Sequence, residues 1–387
     1  MYAIKTYNKI SNVGLEVFDK NTYCVSDDAK EPVAALVRSM ALHDEVFPES
    51  LLAIGRAGAG TNNIPTERLS EKGIVVFNTP SANANAVKEL VLLGLLISSR
   101  KVVPAIEWAK GLKGNGAEVG KMVEKGKGAF VGPEIRGKKL GVIGLGAIGV
   151  LVANAANHLG MTVYGYDPFL SLQNAWNLSH NIIRANDLKE IYENCDYISL
   201  HIPLNKETKD TIDKAAIASM KDGVRILNFA RDALVNSDAM LEAIASGKVA
   251  SYVVDFPTDE MIGVDGVVCI PHLGASTPES EDNCAVMAAN ELVDYIENGN
   301  ITNSVNLPNV SMPRSGEVRI GVIHRNIPNM LTSVTAVLGR DNVNIENMLN
   351  KSRGEYAYTL LDVAKCNAEE VKAHIYEIEG VIRVRII

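Results

Sequence analysis

An apolar strand that runs straight into a glycine-rich turn constrains this chain more than any other feature. Lys139-Leu140-Gly141-Val142-Ile143 leads into Gly144-Leu145-Gly146-Ala147-Ile148-Gly149, an apolar helix continues to Leu159, and a second strand, Thr162 to Tyr166, ends at Asp167. Three glycines at this spacing have separate duties: a tight turn, close approach of the backbone to a pyrophosphate, and tight packing of helix on strand. The helix N-terminus adds free N–H groups that favour phosphate. Asp167 follows at roughly the 20-residue distance of an acid that grips the ribose hydroxyls of an adenosine. The glycine spacing alone is a weak signal. Strand, helix, second strand and terminal acid together predict a dinucleotide held by Gly144, Gly146, Ala147, Ile148, Gly149 and Asp167. The acid also repels a 2′-phosphate, so NAD is expected rather than NADP.

Around this turn the chain alternates short apolar runs with helix-length segments. Ala34–Val37, Leu51–Ile54 and Gly73–Asn78 precede it, and Tyr197–Leu200, Arg225–Asn228, Ser251–Val254 and Val267–Cys269 follow it. Apolar strands separated by helices predict doubly wound parallel sheets, covered on both faces. Ala86 to Ser98 is apolar nearly all round, which is the pattern of a buried helix. Gly111 to Gly132 is glycine-rich and polar, the composition of a long surface connection or flap. Glu281 to Glu297 reads as a helix capped by Asn298-Gly299. Asn306 to Ser315, with Pro308 and Pro313, reads as a linker. The last segment changes rhythm: strand Glu317–His324, helix Pro328–Gly339, a hairpin of Asn344–Ser352 and Tyr356–Val363 through Arg353-Gly354, helix Ala368–Ile378 capped by Asn367, and strand Val381–Ile386. That βαββαβ order is ferredoxin-like. The expected architecture is α/β, with two Rossmann-like domains (1–94 with 282–312, and 95–281) and a ferredoxin-like domain over 313–387.

Charge and cysteines remove several function classes. A net charge of −8 argues against a nucleic-acid partner, which needs a concentrated positive face. A few local arginines still suffice for a small anion. The 5 cysteines are scattered, with no CxxC pair, which gives no zinc signature and suits reduced thiols. The N-terminus lacks the apolar stretch of a signal peptide, and the longest apolar run, Leu90 to Ile97, is far short of the ~20 residues that span a bilayer. The expectation is a cytoplasmic protein without a membrane partner.

Three strands lead into polar segments: Arg225–Asn228 into Phe229-Ala230-Arg231-Asp232, Ser251–Val254 into Asp255-Phe256-Pro257-Thr258-Asp259-Glu260, and Val267–Cys269 towards Pro271-His272-Leu273-Gly274-Ala275-Ser276-Thr277. Strand ends are where a doubly wound sheet binds its ligands. An arginine, a carboxylate and a histidine there are the parts needed to oxidise a 2-hydroxy acid. The histidine takes the hydroxyl proton, the acid supports the histidine, and the guanidinium holds the substrate carboxylate and the developing carbonyl oxygen. Singly, a strand-end arginine is more often a surface ion-pair residue and a lone histidine more often structural.

GLGAIG with Asp167, NFARD, DFPTDE and PHLGAST, in this order and spacing, resemble the D-2-hydroxyacid dehydrogenase family. Arg56-Ala57-Gly58-Ala59-Gly60-Thr61-Asn62-Asn63 resembles the family's substrate loop, and Asn83 to Leu90 its interdomain helix entry. The resemblance implies Arg231 and His272 as catalytic residues, Asp255 near the nicotinamide carboxamide, and further cofactor contacts at His201, Ala230 and Gly274. The family has Asp-Val-Phe where this chain has Asp255-Phe256, so the acid is Glu260 counted from Asp255 and Asp259 counted from Phe256. Glu260 is preferred for its extra methylene.

Ile320 to Pro328 and Asn342-Val343-Asn344-Ile345 resemble an ACT domain, an amino-acid-sensing module. A dehydrogenase of this family with such a tail implies 3-phosphoglycerate as substrate, oxidised to 3-phosphohydroxypyruvate at the head of serine synthesis, and a homodimer or homotetramer. Arg38, Arg56, Gly58 and Gly60 are the candidates to hold this anion, with Arg231 and His272. His324, Asn326 and Asn344 resemble positions that bind serine as an effector between paired domains. Asn329 stands where the family has Gly, and a side chain there would reshape that pocket. Competing readings are glycerate or 2-hydroxyglutarate as substrate, or a non-catalytic NAD-sensing regulator of the same fold.

Overall fold

In the computed structural model, which describes residues 1–387, the apolar runs of the N-terminal part pair as parallel strands: β1 (Tyr2–Tyr7), β2 (Tyr23–Ser26), β3 (Ala34–Val37), β4 (Ala53–Arg56) and β5 (Val75–Asn78), in the order β2-β1-β3-β4-β5. All four residues of β3 are buried, as a run covered on both faces must be. Helix Pro278–Asn298 supplies part of the cover: Ala285, Ala288, Ala289 and Leu292 share one core with Leu36, Ala53 and Phe77. Its small residues allow close approach. A Cβ on Gly14 would lie 2.5 Å from that of Ala285. Tyr295 meets Phe77 edge-on at 5.8 Å, a contact adding about 1 kcal/mol beyond burial.

The chain forms two compact units, 1–83 with 278–387 and 84–277. The second carries seven parallel strands: β6 (Lys139–Ile143), β7 (Thr162–Tyr166), β8 (Ile183–Arg184), β9 (Tyr197–Leu200), β10 (Val224–Asn228), β11 (Val249–Val254) and β12 (Val267–Cys269), ordered β12-β11-β10-β9-β6-β7-β8. Strand order reverses beside β6, and the end of β6 is where this fold opens a crevice. Helix Ala84–Ser99 lies wholly in this unit. Its Val87, Val91 and Leu95 join Leu140, Val142 and Phe229 in one core, and a Cβ on Gly94 would meet the Phe229 ring at 2.7 Å.

The expected flap at Gly111–Gly132 is instead largely helical, with helices Val102–Lys110 and Val119–Gly126 on its approach and within it. Its glycines partly serve packing. A Cβ on Gly126 would lie 2.3 Å from the Trp108 ring.

The C-terminal rhythm gives β13 (Val318–Arg325), helix Met330–Arg340, β14 (Ile345–Arg353), β15 (Tyr356–Val363), helix Ala368–Tyr376 and β16 (Val381–Ile386). The four strands form an antiparallel sheet ordered β14-β15-β13-β16. Alternation along the strands separates two faces. Ile320, Val322, Leu361, Val363 and Val384 pack with Val334, Leu338, Val371 and Ile375 of the two helices, whereas Ile323, Tyr358 and Leu360 join the core of the N-terminal sheet and helix Pro278–Asn298. Residues 306–315, expected as a loose linker, are fixed. Leu307, Val310 and Met312 are buried, Ile301 bridges Val310, and the Asn306 side-chain carbonyl accepts from Val76 N at 2.8 Å. Their apolar side chains decide the outcome over the prolines.

Polar groups lock the same face. Arg319 is fully buried, donating twice to Asp362, at 2.6 and 2.7 Å, and to the carbonyls of Asn298 and Met312. Arg383 reaches Leu51 O, Arg385 reaches Tyr295 O and Ile296 O, Arg353 reaches Ser304 O, and the Tyr358 hydroxyl donates to Gly299 O. Four of these carbonyls, from Tyr295 to Gly299, belong to the end of the long helix, where main-chain acceptors lack partners of their own. No helix is long and apolar enough to cross a membrane.

Candidate active site

Gly144 has φ +93°, and a Cβ on it would sit 2.5 Å from His201 O. At Gly149 a Cβ would lie 1.9 Å from Gly144 O. Neither position admits another residue without moving main chain. Gly146 is different: a Cβ there would meet nothing within 4 Å. Its missing side chain leaves open space before helix Ala147–His158, whose N-cap makes no side-chain hydrogen bond. Ala147 and Ile148 open that helix, so its first N–H groups face this space, as a pyrophosphate requires.

Asp167, one residue past β7, is held by two main-chain donors at 2.8 Å, Leu145 N to Oδ2 and Phe169 N to Oδ1. The carboxylate is thereby fixed with lone pairs to spare for ribose hydroxyls. Beside it opens a cavity of about 560 Å³ lined by Leu145, Tyr166, Asp167, Pro168, Arg184 and Ala185, large enough for an adenosine. Arg184 was not among the sequence candidates, because nothing local ties β8 to the glycine turn. His201 follows β9, bonds to Ser199 Oγ at 2.8 Å, and is pushed down to about 4 by burial.

The expected catalytic segments stand at the ends of β10, β11 and β12, on the same edge of the sheet as the glycine turn. Asn228, fully buried, shapes the first: its side chain accepts from Ala230 N at 3.2 Å and donates to Arg231 O at 2.8 Å. Ala230 O in turn accepts from Arg231 Nη1 at 2.6 Å. The Phe256 ring contacts both functional side chains, 4.4 Å from the His272 ring and 5.8 Å from the Arg231 guanidinium carbon. Asp255 is 1% exposed. Burial raises its carboxyl above the ordinary value, while the charges of His272 and Arg231 pull the other way. Its Oδ1 is buried without a partner, and a Cβ on Gly274 would come within 3.8 Å of Oδ2. An orphaned acceptor beside a glycine is a fitting counterpart for the amide of a nicotinamide.

Arg231, Phe256, His272 and Asp255 are therefore brought together. Glu260 is not: it is exposed in the short turn Asp259–Met261, where its own backbone N–H holds it below the usual carboxylate range, and no hydrogen bond joins it or Asp259 to His272. The carboxylate on which the charge of His272 acts is that of Asp255, though no hydrogen bond joins these two either. Sequence reasoning had placed Asp255 with the cofactor alone, and the coupling arises from a bend after β11 that spacing does not encode.

In the other unit Arg56 ends β4, with its Nε donating to Arg38 O at 3.2 Å and its guanidinium held below its ordinary value by burial. Gly58, at φ +149°, passes directly over it. A Cβ there would fall 2.1 Å from Arg56 Nη1. At Gly60 a Cβ would be 4.0 Å from the same atom. Arg38 is already paired with Glu281 at 2.6 Å.

The expected effector residues do not converge. His324 is buried in β13, bonded to Thr359 Oγ1 at 2.9 Å, and Asn326 donates to Gly354 O at 3.0 Å. Asn344, whose carbonyl accepts from Ala364 N, lies before the Ile345–Val363 pair, at the opposite end of the sheet from the His324–Ala357 pair. Asn329 has φ +68°, so it takes the left-handed conformation for which glycine is the usual choice and asparagine the common substitute.

A family model described as the NAD binding domain of D-isomer specific 2-hydroxyacid dehydrogenases matches residues 99–274. The chain is 35% identical over 349 residues to a protein of Haemophilus influenzae named D-3-phosphoglycerate dehydrogenase, spanning 87% of this chain and 81% of that one. It is 34% identical over 352 residues to the protein of that name from Escherichia coli K12, with 88% and 82% covered. Among solved structures, an NAD⁺-bound 3-phosphoglycerate dehydrogenase of Entamoeba histolytica aligns with TM-score 0.59 at 26% identity, over 79% of this chain and 98% of the other.

Proposed function

This chain belongs to the D-isomer specific 2-hydroxyacid dehydrogenase family, and we propose that it oxidises 3-phosphoglycerate to 3-phosphohydroxypyruvate with NAD, the reaction that opens serine synthesis. The observation that carries the chemistry is the group Arg231, His272 and buried Asp255, set on the same sheet edge as the dinucleotide turn. The choice of substrate follows the named relatives.

Bound NAD supplies the hydride acceptor. Gly146 and the following N–H groups would take its pyrophosphate, Asp167 its ribose, and Asp255 its carboxamide. His272 removes the hydroxyl proton as the carbon–oxygen bond becomes a carbonyl. Arg231 pairs with the substrate carboxylate and with the charge developing on that oxygen. Asp255 stabilises the imidazolium so formed. Arg56 and the N–H groups of Gly58 to Gly60 serve the anionic ends of the substrate, with Arg38 the weaker candidate because Glu281 already engages it.

NADH formation from 3-phosphoglycerate, D-glycerate and D-lactate tests the reading. The phosphorylated substrate should give the highest kcat/KM, and equal or better turnover of D-glycerate would overturn the assignment. The supporting acid has its own test. Asp255→Asn should shift the acid limb of the rate profile, while Glu260→Gln and Asp259→Asn leave it in place. A shift in either of those variants, with none in Asp255→Asn, transfers the role to that residue.

Serine is the effector, and the assembly is at least a homodimer. A serine site built from His324, Asn326 and Asn344 takes two copies of the sheet, because one copy holds the residues at opposite ends. Absence of serine binding by calorimetry would end this part.

A further inference from the structure

Helix Pro278–Asn298 buries a carboxyl that the chemistry above does not use. Glu291 is 6% exposed. Its Oε1 accepts from the Asn303 side-chain amide at 2.7 Å, and its Oε2 is buried without a partner. Burial pushes the group up to about 8, with Asn303 opposing. Such a group is costly to bury, and the path leading from it ends at the substrate loop. Asn303 sits in the left-handed conformation at φ +56°, and its carbonyl accepts from Asn78 N at 3.3 Å. The next residue, Ser304, bridges Phe77, so the segment runs as a short antiparallel edge beside β5. Asn78 in turn donates from its side chain to Ala59 O at 2.5 Å, and Thr79 N donates to Gly58 O at 3.1 Å.

We propose that Glu291 is a positioning residue for the substrate loop: by fixing Asn303 it fixes Asn78, and through Asn78 the turn Gly58–Ala59 that lies over Arg56. The proposal rests on the reading that this loop holds the substrate. Glu291 touches neither substrate nor cofactor, so it acts on substrate binding and not on the chemical step or on NAD.

The test compares the full-length enzyme with Glu291→Ala and Glu291→Gln, reading steady-state constants together with amide hydrogen exchange over residues 57–63. Glu291→Ala should raise the KM for 3-phosphoglycerate roughly five- to tenfold, the scale of one lost internal hydrogen bond. It should hasten exchange in the loop and leave kcat and the NAD KM near wild type. Glu291→Gln keeps an acceptor for Asn303 and should restore both readouts. Asn303→Ala removes the same Glu291–Asn303 bond from its other end and should reproduce the alanine phenotype, which keeps the test open if Glu291→Ala fails to fold. Unchanged loop exchange in Glu291→Ala or Asn303→Ala, or a glutamine variant as impaired as the alanine one, overturns the proposal. Failure of the wild-type enzyme to oxidise 3-phosphoglycerate would sink the functional reading instead, and loop exchange, which needs no substrate, would still decide the role of Glu291.

Discussion

Phe256 has no chemistry of its own, yet its ring contacts both the Arg231 guanidinium and the His272 imidazole, at 5.8 and 4.4 Å. Both partners are exposed, so contact with the ring helps to hold them in place. Phe256→Ala should therefore lower kcat by about 10- to 100-fold, the cost of ångström-scale misplacement. The NAD KM and Tm should change little, and an unchanged kcat would show that the ring only fills space. Residue-level legibility differed by how local each feature is. Gly144, Gly149 and Asp167 interact within one strand–turn–helix–strand, and their spacing carries that geometry. The supporting acid depends on how the chain bends after β11, and one missing residue in the family pattern left Glu260 and Asp259 in contention without bringing buried Asp255 forward for that role. The Glu291–Asn303 contact joins a helix to an edge segment and has no sequence signal at all.

Among the elements, β13 to β16 were readable almost to the residue, because apolar runs bounded by helix-length segments and the turn at Gly354 mark where each begins and ends. β1 and β2 escaped notice. Tyr2-Ala3-Ile4-Lys5-Thr6-Tyr7 mixes polar with apolar residues, and its pairing with β3 spans many residues. Glycine content misled in the segment after Gly111, where Trp108 and the crowding at Gly126 outweigh flexibility. The buried pair of Arg319 and Asp362 is an element-level device, joining β13 to β15 and both to the carbonyls of Asn298 and Met312. Arg319→Met leaves a buried aspartate uncompensated and should cost about 3–5 kcal/mol in urea denaturation. The double variant Arg319→Met with Asp362→Leu should be less destabilised than the single one. Additive losses would mean the two side chains are not coupled.

At the scale of the molecule, the central strands β13 and β15 of the C-terminal sheet are covered on both faces, while the edge strand β14 is largely exposed. One side covers its own helices and the other is continuous with the core under helix Pro278–Asn298. Ending the chain after Met312 would uncover Tyr295 and Ile296 and strip partners from the carbonyls of Leu51, Tyr295, Ile296, Asn298, Gly299 and Ser304. Such a truncation should be recovered as aggregate, or melt roughly 10 °C or more below the full chain. A soluble product with unchanged Tm would show the sheet to be an appendage.

The arginines that reach out of this sheet carry a historical implication. A domain attached by a tether can be gained, lost or traded between genes with little consequence for its host. Here Arg319, Arg353, Arg383 and Arg385 recognise main chain of the preceding domain at particular positions. A crossover near residue 313 would join each arginine to a backbone it had never met. Chimeras with relatives should therefore survive only when the breakpoint lies outside both partners, so that inheritance treats helix Pro278–Asn298 and the tail as one heritable block.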